Sequence, residues 1–89
     1  MITRSVTLVN RLGLHARAAS RLVQKAAEFE CAIHLVRDER RVNAKSIMGV
    51  LMLAAPAGTE LTLECDGDDA DEAADAIVAL IENRFGEDE

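Results

Sequence analysis

Apolar residues in this chain recur at two different spacings, and the chain alternates between them from end to end. Ser5-Val6-Thr7-Leu8-Val9 alternates polar with apolar, the period of two that sends successive side chains to opposite faces of a strand. From Ala16 the apolar positions fall at helical spacing, through Ala19, Leu22, Val23 and Ala26, with Phe29 closing the stripe. Alternation returns over residues 32–36, with Ile33 and Leu35 on one face and His34 on the other. Residues 37–41 read as a charged hairpin turn without a glycine signal, leading to a short strand around Val42. Ser46 can cap a short helix over residues 47–53, which Pro56 and Gly58 stop. Residues 60–65 form the cleanest strand, with Leu61, Leu63 and Cys65 facing in. Gly67 then turns into a helix whose acidic start (Asp68, Asp69, Asp71, Glu72) and basic end (Arg84) suit the helix dipole. Its buried stripe is Ala73, Ile77, Leu80 and Ile81, and Gly86 ends it.

The element order is therefore β-α-β-β-α-β-α. Strands with one apolar face, and three helices to cover it, predict a two-layer α/β sandwich open on the other side. Residues 1–89 form a single domain, since a chain this short rarely holds two cores. Phe29 and Phe85 are the only aromatics, so the core falls to Val, Ile, Leu, Met and Ala. Strand order does not follow from periodicity.

Several functional classes are excluded at this level. No stretch approaches the roughly 20 apolar residues of a membrane span. The first residues lack the apolar core of a signal peptide, so a cytoplasmic protein is expected. Cys31 and Cys65 are too few and too separated for a disulfide framework or a metal site, and read as buried, reduced thiols. The net charge of −6 is unevenly spread. No acid precedes Glu28, whereas Arg4, Arg11, Arg17, Arg21 and Lys25 do, and twelve of the sixteen acids lie from Glu60 onward. A basic face on an acidic protein suits an acidic protein partner or an anion, and duplex nucleic acid would be repelled by the rest.

His15 opens the first helix, with Gly13 before it and Arg17 after it. The first amides of a helix lack internal acceptors, here those of Ala16 and Arg17, and the dipole adds partial positive charge, so phosphate is favoured there. Neutral imidazole is a competent nucleophile near neutrality, and an arginine offers planar donors to phosphate oxygens. A neighbouring carboxylate would repel those oxygens, and no acid stands near His15 along the chain. No metal-ligand spacing, Ser-His-Asp set or P-loop competes with this reading.

The segments GLHARAA and, some thirty residues later, NAKSIMGVLMLAA resemble the HPr family of histidine-containing phosphocarriers in the bacterial phosphotransferase system. The likeness covers essentially the whole chain. It implies an antiparallel sheet of order 1-4-2-3 and a single function, carrying phosphate rather than turning over a small molecule. By resemblance His15 is phosphorylated on its δ nitrogen by phospho-enzyme I, charged by phosphoenolpyruvate, and passes the group to an enzyme IIA. Arg17 is the phosphate-assisting arginine. Ser46 sits where many members carry a regulatory serine, the target of an HPr kinase/phosphorylase. Arg21, Ile47, Met48 and Leu51 fall on the partner-docking surface. No cofactor or metal is implied on this chain, and a monomer is expected. Ala18 departs from the family's commoner proline, which predicts a slightly less rigid first turn. Two alternatives remain, a nitrogen-branch regulatory phosphocarrier and a Ser46-phosphorylated regulator that binds a transcription factor. If the family's strand order holds, Cys31 and Cys65 come within reach of each other.

Overall fold

In the computed structural model, which describes residues 1–87, the most regularly alternating segment lies inside the sheet. That strand, β4 (Glu60–Asp66), pairs antiparallel with β1 (Ile2–Thr7) on one side and β2 (Ala32–Arg37) on the other. The edge strand β3 (Arg40–Asn43) hangs on β2, giving the order β1-β4-β2-β3. Register follows the apolar pattern. Leu61 faces Val6, Leu63 faces Leu35, and Cys65 faces Ile33, all buried. A one-residue slip would turn all of these to water, so the pairing is strongly specified. The opposite face carries Thr3, Ser5, Thr7, His34, Thr62 and Glu64 and stays partly or fully wet, with Arg41 Nε 2.8 Å from Glu64 Oε1. Acids 88 and 89 of the acidic tail lie outside the described residues.

Three helices cover the apolar face: α1 (Ala16–Ala26), α2 (Ile47–Met52) and α3 (Ala70–Glu82). Ala18, Ala19, Leu22 and Ala26 of α1 and Ala70, Ala73, Ala74, Ile77 and Ile81 of α3 are buried. Small residues at most of these positions let both helices lie close on the sheet. The bulk comes from Leu and Ile side chains, each stabilising by roughly 1.5–3 kcal/mol when fully buried. Val23 and Leu80, expected in the stripes, are half-buried at the stripe margins. Among the described residues no helix is long and apolar enough to cross a membrane.

Some boundaries differ from expectation. β1 begins at Ile2 and ends at Thr7, not at Val9, because Leu8 leaves the ladder with β4 and bonds the loop before it. Leu8 N–H donates to Thr59 O at 2.9 Å, and Gly58 N–H donates to Leu8 O at 2.8 Å. The alternation still holds, since Val6 and Leu8 are both buried. The hairpin turn shrinks to residues 38–39, where Asp38 takes the left-handed conformation (φ 54°) that a glycine would otherwise supply. α3 stops at Glu82 rather than running to Gly86, and one 3-10 turn, Arg84–Gly86, follows. Arg84, Phe85 and Gly86 all have positive φ, which no helix can continue.

The cysteines meet as the strand order implied. Cys31 immediately precedes β2 and Cys65 closes the apolar face of β4; both are buried free thiols. Burial and a hydrogen bond to the Asp69 carboxylate push Cys31 up to about 11, and burial also pushes Cys65 up. Asp69, expected to favour the α3 start, is committed elsewhere. Its two oxygens accept from Glu30 N–H (2.8 Å) and Cys31 N–H (2.9 Å), and these bonds hold its carboxyl below the ordinary range.

Candidate functional site

The loop that enters α1 is built around one buried amide. Asn10 is fully buried, and its Nδ2 donates to Gly13 O at 2.7 Å. Gly13 has φ +65°, and a Cβ there would sit 2.5 Å from Ala55 O, so only glycine lets the loop lie against residues 55–57. Leu14 N–H donates to Ala55 O at 2.9 Å and fixes that approach. The chain then reaches His15 in extended conformation (φ −75°, ψ 179°) as the N-cap residue of α1. Its imidazole makes no capping bond, and its carbonyl accepts from Ala19 N–H at 2.8 Å. The amides of Ala16, Arg17 and Ala18 therefore open the helix without intrahelical acceptors. Ala16 and Arg17 are exposed, whereas Ala18 is packed inside.

An acid does stand against His15, contrary to what the neighbouring residues imply. Glu87 Oε2 lies 2.8 Å from His15 Nε2, and Glu87 Oε1 accepts from Asn10 Nδ2 at 2.9 Å. Linear distance misled here: the chain after α3 folds back over the start of α1. Phe85 is buried and anchors that return, and Arg21 donates to the Phe85 carbonyl. The side chains of His15 and Glu87 are 26% and 15% exposed, so the ring remains reachable while the carboxylate is largely covered. Burial would raise the Glu87 carboxyl, but hydrogen bonds from Asn10 and His15 and the nearby His15 and Arg21 charges outweigh it and hold the group below the ordinary value. The carboxylate therefore stays ionised and accepts only. It approaches from the Nε2 side, leaving Nδ1 on the other side of the ring without a partner among the described residues.

The other expected positions are distributed around this centre. Ser46 caps α2, its hydroxyl accepting from Gly49 N–H at 3.2 Å. Ile47, Met48 and Met52 of α2 are exposed, Met48 to 66%, whereas Leu51 is half-buried against the core. Leu12 of the entry loop is exposed as well, to 62%. α1 packs on α2. Arg21 is half-buried by its bond to the C-terminal segment. Among the described residues no group of three His, Cys, Asp or Glu could hold a metal ion. Asn10 and Glu87 were not singled out by the sequence. The only hint was a second phenylalanine followed by glycine and an acid after the last helix.

Fold and site together define a small open-faced α/β domain that presents a reachable imidazole at a helix N-terminus. Residues 2–83 match the family described as the PTS HPr component phosphorylation site. A phosphocarrier protein HPr of Cupriavidus necator is 55% identical over 89 residues, covering all of both chains. A phosphocarrier protein NPr of Shewanella violacea is 46% identical over 86 residues, 97% of this chain and 94% of that one. Among solved structures, HPr-C-His from Thermoanaerobacter tengcongensis superposes with a TM-score of 0.96 at 43% identity over the whole of both chains. The chain belongs to the HPr family of phosphocarrier proteins of the phosphotransferase system.

Proposed function

We propose that this phosphocarrier takes a phosphoryl group onto His15 Nδ1 from phospho-enzyme I and passes it to a histidine of an enzyme IIA, in the cytoplasm and as a monomer. The observation that carries this reading is the His15 ring itself. It is part-exposed at the start of α1, held at Nε2 and without a partner at Nδ1 among the described residues. The amides of Ala16 and Arg17 and the Arg17 guanidinium would take the phosphoryl oxygens, and a helix N-terminus favours that charge. Leu12, Ile47 and Met48, with Leu51 beneath, would form the apolar centre of the docking surface, and Arg21 would supply its basic side. Incubation with enzyme I and labelled phosphoenolpyruvate tests the assignment. Acid-labile label on the wild type and none on His15→Ala is expected, and equal labelling of the two would overturn it.

Ser46 is a second, regulatory position under this reading. Phosphate at the α2 cap would place negative charge beside Ile47 and Met48 and repel an acidic partner. Ser46→Asp should therefore accept phosphate from enzyme I more slowly than wild type, and equal rates would remove the idea. The likeness to an NPr at 46% identity gives the nitrogen-branch alternative a specific basis. Competition between a sugar-type and a nitrogen-type enzyme IIA for the phosphorylated chain separates the two.

A further inference from the structure

The mechanism above uses the ring of His15 but not the carboxylate pressed against it. Three observations show that the contact is constructed. The segment after α3 passes through Arg84 and Phe85 at φ 56° and 55°, a conformation that disfavours side-chain-bearing residues, and such strain persists only where its surroundings enforce it. Phe85 is buried and its carbonyl is held by Arg21, so the strained turn is pinned at both its ring and its backbone. Glu87 then lands with one oxygen on Asn10, itself fully buried and locked to Gly13, and the other on His15 Nε2.

We propose that Glu87 is a positioning residue that holds neutral His15 in the Nε2–H tautomer and aims the bare Nδ1 lone pair at the incoming phosphoryl group. The proposal rests on the phosphocarrier reading for its consequence, but not for its geometry. An ionised carboxylate can only accept, so the nitrogen it touches must carry the proton and the other must carry the lone pair. In the transfer step Nδ1 donates that pair to phosphorus. The bond from phosphorus to the donor's nitrogen breaks, and its electron pair leaves with the donor. No proton leaves His15, so the ring acquires positive charge shared with Nε2–H. Glu87 faces that charge as it develops. A carboxylate on the Nδ1 side would repel the group, whereas on the Nε2 side it assists. Histidine-orienting acids work this way in other nucleophilic sites.

The test reads the ring directly. Nitrogen-15 spectra of the neutral His15 ring should show the Nε2–H tautomer in excess of that in a short histidine peptide, with a low-field hydrogen-bonded proton. Glu87→Ala should return the ring to the peptide's mixture, and a chain ended after Gly86 should do the same. Both variants should accept phosphate from enzyme I about ten- to a hundredfold more slowly, the worth of one hydrogen bond to a charged group. A wild-type ring with the peptide's tautomer ratio would overturn the proposal, as would variants with unaltered spectra and rates. Tautomer control in a protein that never accepts phosphate would instead sink the phosphocarrier reading and leave the ring geometry standing.

Discussion

At the scale of single residues the site depends on one that does no chemistry. Gly13 lets the entry loop lie against residues 55–57, and any Cβ there meets backbone that cannot step aside. Gly13→Ala should lower stability by about 2 kcal/mol or more, through both strain and collision, and the melting temperature by roughly 10 °C. An unchanged transition would show that the loop is free to move. Cys31 makes the second prediction. Its thiol is raised from 9.0 to about 11, chiefly by burial and then by Asp69. A proton held more tightly in the folded state stabilises that state below the unfolded pKa, and the benefit disappears as pH climbs through the folded value. Stability should thus be level across neutrality and decline between about pH 9 and 11, with a shallower decline in Cys31→Ala. Chemical denaturation at stepped pH measures both slopes, and identical slopes would remove Cys31 as the cause. The same residues show what local reading misses. His15 and Arg17 stood out because their neighbours in sequence matter to them. Glu87 did not, because its partner is 72 positions away and is reached through a turn made by Arg84 and Phe85, residue types that signal no left-handed bend.

At the scale of elements, the strands and helices were legible because each has one wet and one dry face. That Val6, Leu35, Leu61 and Leu63 face the core was implicit in the alternation, and the stripe of α1 in its alanines and Leu22. The pairing of Val6 with Leu61 and of Leu35 with Leu63 was not, because alternation does not choose a neighbouring strand. Element ends were less legible, since they answer to tertiary partners: Leu8 leaves its strand for Thr59, and α3 stops early so that Phe85 can turn back into the core. Helix α2 is the element that separates folding from recognition. It is only six residues long and depends on Ser46 for one of its first amides. Ser46→Ala should cost about 1 kcal/mol, the usual worth of such a cap, with no direct effect on the rate of phosphate acceptance. Met48→Gln should do the reverse. Its side chain is mostly in water already, so melting should stay within about 1–2 °C while affinity for enzyme I falls several-fold. Calorimetry and titration on the same two variants read both axes. A Met48 variant that melts early but binds normally would place that side chain in the core's service and not the partner's.

At the scale of the whole molecule, charge separation does what neither residue nor element can do alone. The chain carries −6 overall, yet twelve of its sixteen acids lie from Glu60 onward, while Arg17 stands exposed at the start of α1. A partner with an acidic docking face meets a molecule whose net charge repels it and whose site attracts it. The attraction therefore orients the encounter more than it strengthens the complex. Such steering acts over a distance set by salt, since the screening length shrinks from about 30 Å at 0.01 M to about 3 Å at 1 M. The second-order rate of phosphate acceptance should therefore fall by about tenfold or more across that range, with the rate within the bound complex little changed. Rapid-quench kinetics at several salt concentrations separates the two, because only the association step feels the long-range field. Arg17→Gln should flatten the salt slope as well as slow the transfer. If its slope matches wild type while its bound-state rate collapses, the arginine serves only the phosphoryl oxygens, and the steering belongs to the other basic residues of the first helix and its entry loop.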